Sequence, residues 1–327
     1  MNVHDRFKDF GKQHCWQYEV RLQNLAEDLE EASLTEEAAG QLRTSDFDFA
    51  YVDKTDKDQC AEIKRFIERH EWLGKLPARP TERFTARLRG SQTLAGVVVM
   101  ATPNAFSHLL GKENKNLEKL ISRGASISWA PKNMGSWLIM NSIKWMVRNK
   151  DYRTFTAYSD PEAKELGTIY QACNFIYLGQ TSGTSKQYFD PNNEKAGWFS
   201  DRDFRKKSKY KKYVENIGTD KLQWMVGCSW IETKEAVSEK EKIKEWMKKH
   251  MKKYSPNWDI IPAEIKEEIK KQEKKYREDC DSRPVPPKHK YCYILGRTKS
   301  ETKELHNLFK ELNPKLYNLS YPRERGR

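Results

Sequence analysis

The chain has 327 residues, and 60 Lys and Arg side chains against 47 Asp and Glu give it a formal net charge of +13. This length allows one large or two modest domains, and an aromatic content of 12% excludes a chain that is disordered throughout. The sequence has no run of eighteen apolar residues and no apolar signal-peptide core. We therefore expect a soluble, cytoplasmic protein whose six scattered cysteines are reduced.

The charge is unevenly distributed along the chain. Residues 1–200 carry 27 basic and 26 acidic side chains, whereas residues 201–327 carry 33 basic and 21 acidic ones. Almost the whole excess lies in the last part, which favours a polyanionic partner such as nucleic acid. A lysine-rich solvated surface would give a milder form of the same asymmetry.

The hydrophobic pattern predicts a helical N-terminal extension over residues 1–45, followed by alternating strands and helices. Strands are predicted at residues 47–52, 83–88, 94–101, 117–130, 154–158 and 175–178. Helices are predicted between them at residues 57–70, 137–148 and 162–174. This order indicates an α/β fold with a mixed central sheet and helices on both faces.

The tail from residue 201 is basic and mainly helical. Its predicted elements are helices at 240–253 and 262–277, a proline-rich hinge at 283–287, a strand at 291–295 and a helix at 301–312. The last strand is expected to rejoin the core sheet. The predicted domains are therefore the extension at 1–45, a core at 46–200 and a basic extension at 201–327.

A glycine loop at residues 131–136 precedes the helix predicted at 137–148. A strand, a glycine loop and a helix start form an anion cradle, because free backbone N–H groups and the helix dipole favour phosphate. Acyl-coenzyme-A-binding folds of the GNAT (Gcn5-related acetyltransferase) kind use this layout, although Trp137 stands where a second small residue is usual. An ordinary helix start capped by Asn133 or Ser136 explains the loop equally well. The candidate binding residues are Lys132, Asn133, Gly135 and Ser136.

The segment 156–179 carries the most specific pattern. It contains Asp160-Pro161, Gly167, Tyr170-Gln171-Ala172, Asn174-Phe175 and Tyr177-x-Gly179. In this order and spacing it resembles the Mom family of bacteriophage DNA-modification enzymes. Earlier pieces agree: Ile67, His70, Trp72, Pro77, Gly96-Val97 and Leu120-Ile-Ser-Arg123. The resemblance covers about residues 46–185, and it departs from the family at Glu71 and Trp72, where a His-Tyr pair is more usual.

The resemblance implies a GNAT-like enzyme that modifies DNA bases. The family's product carries a carbamoylmethyl group on the exocyclic amine of adenine, which shields phage DNA from host restriction in the host cytoplasm. The implied donor is acyl-coenzyme A, such as acetyl-coenzyme A, or another activated acyl or aminoacyl group. Iron is a further cofactor implied by the family.

The candidate catalytic residues each have a structural alternative. Asp160 follows a strand, where α/β sheets place ligand crevices, but Asp before Pro is also a good helix N-cap. His70 is a candidate base or metal ligand, or a satisfied histidine of a helix. Arg123 is expected to pair with a phosphate or with Asp160, or to form a structural ion pair. Tyr158 shares a strand face with Asp160 and is a candidate hydrogen-bond donor, or a packing residue.

Two kinds of residue are candidates for contacting DNA. Tyr170 and Gln171 lie on one predicted helix, where Gln171 suits the edge of adenine and Tyr170 could equally be core. The basic run at 205–212, with aromatic residues interleaved, suits phosphate contact and base stacking on double-stranded DNA. The candidate phosphate contacts among its six cations are Arg205, Lys206, Lys207, Lys211 and Lys212, and the aromatic residues within it or next to it are Phe204, Tyr210 and Tyr213.

The favoured function is therefore transfer of an acyl-derived group to adenine in DNA. One alternative is a GNAT-type acyl or aminoacyl transferase that acts on another modified base, on RNA or on a small amine. A second alternative is a nucleic-acid-binding scaffold without catalysis, which the atypical glycine loop would favour. The sequence gives no sign of a membrane partner.

Overall fold

The computed structural model of the chain describes residues 15–181, 185–226, 238–253 and 255–322. Its helices are α1 (Trp16–Glu31), α2 (Glu36–Gln41), α3 (Lys57–His70), α4 (Met134–Asn149), α5 (Thr168–Ala172), α6 (Lys207–Ile217), α7 (Thr219–Val226), α8 (Glu239–His250), α9 (Ala263–Glu278) and α10 (Lys299–Leu312). Its strands are β1 (Phe47–Val52), β2 (Thr81–Leu88), β3 (Leu94–Ala101), β4 (Glu118–Ser126), β5 (Thr154–Ser159), β6 (Ile176–Gln180), β7 (Ser185–Phe189), β8 (Phe199–Ser200), β9 (Asp281–Val285) and β10 (His289–Ile294).

The chain forms two compact units, one of residues 1–183 with 287–327 and one of residues 184–286. The first contains a seven-stranded sheet in the order β1-β2-β3-β4-β5-β10-β6. All neighbours are antiparallel except β4 and β5, which are parallel. This mixed sheet with its flanking helices confirms the predicted α/β class, and β10 rejoins the sheet as expected.

The centre of the sheet is held by continuous apolar packing. All eight residues of β3 are buried, so both of its faces are covered. Helices α3 and α4 both pack on β3 and β4. Gly96 in β3 allows α4 to approach closely, because a Cβ there would lie 3.1 Å from the Leu138 side chain. The helix that follows the glycine loop is thereby fixed against the sheet.

Strands β4 and β5 diverge beside this helix. The register of β3 and β4 shifts by one residue at Ser122, which is a β-bulge in β4. Pairing of β4 with β5 covers Glu118–Ile121, whereas β4 continues to Ser126 and β5 to Ser159. The pair therefore opens ahead of the glycine loop and the helix that follows it. The opening lies at the carboxyl ends of two parallel strands, where α/β sheets bind ligands.

The predicted helix at 162–174 is wrong in its length. The structure has a 3-10 turn at Pro161–Ala163 and then the short helix α5. Lys164 and Gly167 adopt left-handed backbone angles, with φ of +55° and +73°, which interrupt any helix through this segment. Residues 160–167 therefore form a turn between β5 and α5.

The second unit contains α6–α9 and a three-stranded sheet in the order β8-β7-β9. The predicted hinge at 283–287 is wrong, because residues 281–285 form β9, which pairs with β7. Pro284 is tolerated there because β9 is an edge strand. The stacking role predicted for the aromatic residues of the basic run is also wrong, because Phe204, Tyr210 and Tyr213 are buried in this unit.

The positive charge divides between the two units. The segment 184–286 carries 25 basic and 19 acidic side chains, and the segment 287–327, which returns to the first unit, carries ten and four. Each segment therefore has a net charge of +6. In the part of the chain that the structure describes, no helix is long and apolar enough to span a membrane.

Helix α1 is joined to the sheet unit by the buried residue Asp28. Its carboxylate accepts a hydrogen bond from the backbone N–H of Ser128 (3.1 Å) and pairs with Arg69 at 2.7 Å. The indole N–H of Trp129 donates to the carbonyl of Asp28 at 3.0 Å. Burial raises the pKa of Asp28, and these hydrogen bonds and the Arg69 charge act in the opposite direction.

We expect Asp28→Ala to lower the free energy of unfolding by about 2–3 kcal/mol, because it leaves the buried N–H of Ser128 without its acceptor and removes the buried partner of Arg69. Glu27→Ala is the matched control. Glu27 pairs with the same arginine at 3.1 Å but is exposed, so its loss should cost less than about 1 kcal/mol. Urea denaturation of both variants measures the difference, and equal effects would contradict the role of Asp28.

Candidate functional site

Asp160 directly follows β5, at the opening between β4 and β5. Its Oδ1 accepts the backbone N–H of Glu162 at 3.1 Å, and its Oδ2 lies 2.6 Å from Nζ of Lys288. Its carbonyl accepts the N–H groups of Ala163 and Glu165. Asp160 is therefore a cap for the turn, as its structural alternative predicted, and one half of an ion pair at the same time.

The turn after Asp160 is pinned by Tyr291, which comes from β10. The Tyr291 hydroxyl donates to the carbonyl of Leu166, and its ring packs so closely that a Cβ at Gly167 would lie 2.4 Å from it. The amide nitrogen of Gln171 donates to the same carbonyl at 3.2 Å and to the Tyr291 hydroxyl at 3.3 Å. The predicted base-edge role of Gln171 stays a prediction, but its N–H groups are engaged in holding this turn.

Two carboxylates that the sequence did not single out as site residues belong to the same charged group, because Glu165 interacts electrostatically with both Asp160 and Glu71. Burial, and then the charges of Glu71 and Asp160, raise the pKa of Glu165 to about 7. Burial also raises the pKa of Glu71, while the nearby Arg123 charge lowers it. Glu165 could not be found from spacing, because only the turn at 160–167 brings it to this position. Glu71 could have been found from the sequence, because it stands where the resembled family has another residue.

Arg123 follows the bulge at Ser122 and reaches across the sheet to Glu71. Its Nε lies 3.6 Å from the Glu71 carboxylate and donates to the carbonyl of Lys75 at 2.7 Å. A second donor bonds the carbonyl of Ser122. The ion pair that Arg123 forms is therefore with Glu71 and not with Asp160, which agrees with its predicted alternative of a structural ion pair.

The two candidate tyrosines have different surroundings. Tyr158 is 36% exposed, and the ammonium of Lys290 lies 5.8 Å from the centre of its ring. Tyr170 packs against Phe175 and Tyr291, and burial, followed by the charge of Glu165, raises its pKa. Tyr170 thus lies beside the carboxylates, whereas Tyr158 contacts Lys290.

The structure places His70 in a different cluster. It is buried, its Nε2 lies 3.9 Å from the Asp28 carboxylate, and its ring contacts Phe66. Burial and the charges of Arg69 and Arg21 lower its pKa to about 4, so it is neutral at physiological pH. None of its described contacts reaches Asp160. Among the described residues, no group of three or more His, Cys, Asp or Glu could hold a metal ion, so the iron implied by the resemblance has no ligand set there.

The glycine loop starts α4 without a side-chain cap from Asn133. Ser136 Oγ donates to the Asn133 carbonyl at 3.0 Å, and the N–H of Trp137 bonds the same carbonyl. The side chain of Trp137 packs edge-on against Phe49. A Cβ at Gly135 would lie 2.6 Å from the end of the Ile169 side chain, which is exposed and can move aside, so packing alone does not require a glycine here.

This helix start retains donors for an anion. Among the described residues, the backbone N–H groups of Gly135 and Ser136 have no acceptor, and α4 is a sixteen-residue helix whose dipole points at them. Lys132 is exposed next to them. The loop residues thus fit a phosphate group, and the unpaired edge of β4 beyond Ile121 leads from the loop towards the carboxylates.

In the second unit, three of the six cations of the basic run form local ion pairs. The pairs are Arg205 with Asp201, Lys206 with Asp203, and Lys211 with Glu215 at 3.5 Å. Lys207 and Lys212 are exposed, and neither forms an ion pair with a described residue. These two lysines are therefore the most available phosphate contacts of the run.

A family model described as the Mom protein family matches residues 51–225 of the chain, and no curated protein matches it. Similar solved structures include a ribosomal-protein-S5-alanine acetyltransferase from Vibrio fischeri (12% identity, 42% of this chain and 82% of that one, TM-score 0.31). Another is a spermidine N-acetyltransferase from Vibrio cholerae in complex with CoA and spermine (11% identity, 42% and 84%, TM-score 0.31). Scores this low support no conclusion about activity or ligands.

We expect Gly167→Ala to destabilise the protein by about 1–3 kcal/mol more than Gly90→Ala, because only the first adds an overpacked contact, with the Tyr291 ring. Both glycines have positive φ, +73° and +93°, so both variants carry the backbone strain. A Cβ at Gly90 meets nothing within 4 Å. Denaturation curves of the two variants measure the difference, and equal losses would show that the turn is not held by Tyr291.

Proposed function

This chain belongs to the Mom protein family, and from that premise we propose that it transfers an acyl-derived group of the carbamoylmethyl type to the exocyclic amine of adenine in DNA, protecting phage DNA from host restriction. The observation that carries the proposal is the charged group formed by Asp160, Glu165, Glu71 and Arg123, inside the matched segment and at the opening of the sheet. We infer that this group acts on the amine.

The chemistry of the amine explains why such a group is needed. An exocyclic amine is conjugated to its ring and is a poor nucleophile, so it requires a proton acceptor and close positioning. Carboxylates beside the opening supply acceptors, and Arg123 supplies a fixed positive charge. Tyr170 lies next to the same carboxylates and is a candidate hydrogen-bond donor to the substrate. We assign His70 a structural role in the attachment of α1.

The donor in this proposal is an acyl-coenzyme A. When bound, the thioester would supply a carbonyl carbon activated for attack. Its phosphates would lie at the start of α4, on the N–H groups of Gly135 and Ser136 with Lys132 and Asn133 beside them. Trp137 does not argue against this site, because its ring packs on Phe49. This weakens the alternative of a degenerate scaffold without catalysis.

The proposed macromolecular partner is double-stranded DNA. An enzyme that acts on a base in a duplex must extrude the base and hold the distorted strand. The net charge of +6 on each of the segments 184–286 and 287–327 supports a role for both in phosphate contact. Lys207 and Lys212 are the proposed contacts of the basic run.

Nucleoside mass spectrometry of DNA from cells that express the protein tests the function. We expect a heavier deoxyadenosine whose level falls about 10²- to 10⁴-fold in Asp160→Ala, because the charged group is disrupted. Asp48→Ala, at an exposed carboxylate of the edge strand, is the control and should modify DNA as the wild type does. A changed thymine or tRNA nucleoside would favour the other transferase, and unchanged nucleosides would contradict both.

The salt dependence of DNA affinity tests the basic run. The double variant Lys207→Ala/Lys212→Ala should reduce the slope of log K against log salt by about 1–2, since each phosphate contact contributes about 0.9. Lys248→Ala/Lys249→Ala removes the same charge from exposed positions of α8 and should leave the slope nearly unchanged. Equal slopes for the two double variants would contradict the assignment.

A further inference from the structure

Lys288 reaches the site from outside the segment that the family model matches. It precedes β10, and its backbone is fixed by two hydrogen bonds to Thr181. The Lys288 carbonyl accepts the Thr181 N–H at 2.8 Å, and its own N–H donates to the Thr181 hydroxyl at 3.0 Å. Its side chain is 38% exposed and places Nζ 2.6 Å from Asp160 Oδ2. A lysine held in this way at its backbone can position its partner.

We propose that Lys288 is a positioning residue of the site, and that by holding Asp160 it leaves Glu165 as the group that accepts the proton of the substrate amine. This inference rests on the proposed function and deepens it. In this assignment Glu165 is the proton acceptor, and Asp160 is the structural and electrostatic partner of Lys288.

The contacts of Asp160 support this division. One carboxylate oxygen accepts the N–H of Glu162 and the other pairs with Lys288. The backbone carbonyl of Asp160 holds the turn through Ala163 and Glu165. A proton that arrived at this carboxylate would compete with the ion pair or the cap, and it would loosen the turn that carries Glu165.

Glu165 is placed differently. It sits on the turn that Tyr291 and Gln171 pin through the Leu166 carbonyl, so its backbone is as well defined as that of Asp160. None of the ion pairs between described residues includes Glu165. Burial and two neighbouring carboxylates raise its pKa to about 7, where a general base is most effective.

The charged and titratable groups around Glu165 come from four elements. Glu71 follows α3, Asp160 follows β5, Tyr170 lies on α5, and Lys288 precedes β10. Glu71 and Asp160 raise the pKa of Glu165, whereas Lys288 lowers it. Arg123 acts on this group through Glu71.

The proposed step balances with a thioester donor. The adenine nitrogen forms a bond to the donor carbonyl carbon, and its proton passes to a carboxylate oxygen of Glu165. The carbon–sulfur bond breaks, its electron pair leaves with sulfur, and the resulting thiolate takes the proton from Glu165. An amine and a thioester become an amide and a thiol, and Glu165 returns to its starting form. A glycyl group transferred in this way contains the same atoms as a carbamoylmethyl group, but it is joined to the adenine nitrogen through its carbonyl carbon.

Three variants test the inference in cells by the level of modified deoxyadenosine. Glu165→Gln should lower it at least 100-fold. Lys288→Met should lower it about tenfold and Lys288→Arg should restore most of it, because the arginine keeps the charge beside Asp160. Lys64→Met, which removes an exposed lysine paired with Glu68 at 3.7 Å, is the control.

A second readout does not depend on activity. Between pH 5 and 8 the folding equilibrium constant of the wild type should fall at least tenfold relative to Glu165→Gln, because a carboxyl whose pKa is raised by folding loses stabilisation as pH rises. Lys288→Met should move this transition to higher pH, and Lys288→Arg should move it back. A merely structural lysine would not shift it.

The outcomes separate the two proposals. Absence of modified deoxyadenosine in the wild type overturns the proposed function. A wild type that modifies DNA, together with unchanged modification in Lys288→Met or Glu165→Gln, overturns the inference alone. So does a pH dependence of folding that is the same in the wild type, Glu165→Gln and Lys288→Met.

Discussion

The site depends on β10, which enters the sheet between β5 and β6 after the chain has passed through residues 184–286. This strand supplies Tyr291, which pins the turn after Asp160, and the residue before it, Lys288, pairs with Asp160. Strand β5 has β4 as its other neighbour and shares only Glu118–Ile121 with it, so β10 is what holds the end of β5 in place. The charged group is therefore completed by a segment about 130 residues away in sequence.

Periodicity predicted the elements whose packing is regular. The buried run of β3, the amphipathic α3 and the returning strand β10 all lie where their patterns placed them, because a buried face imposes its period on the sequence. Two wrong predictions, a long helix at 162–174 and a hinge at 283–287, share a cause. The segment 162–174 has helical composition, but left-handed angles at Lys164 and Gly167 break it, and β9 contains a proline that only an edge strand tolerates. Neither tertiary condition is visible from local pattern.

The same contrast between local sequence pattern and tertiary structure applies to the site residues. Asp160 and Arg123 were found by motif, and the structure brings both to the opening between β4 and β5. Glu165 was missed because a glutamate in a polar turn looks solvated, and its raised pKa arises from burial and from two neighbouring carboxylates. Lys288 was missed because its partner is known only once β10 is placed beside β5. Residues defined by burial or by strand order require the fold, whereas those defined by a motif do not.

The division of charge has a consequence for how DNA would be held. The segment 287–327 carries half of the excess that the sequence assigned to the whole tail, and it also provides β10 and Lys288. In the proposed function, attraction of DNA and neutralisation of Asp160 would thus originate in one stretch of chain. A phosphate close to Lys288 would compete with Asp160 for its ammonium, and release of Asp160 would change the field at Glu165. The position of the DNA strand and the pKa of Glu165 would then be coupled through Lys288.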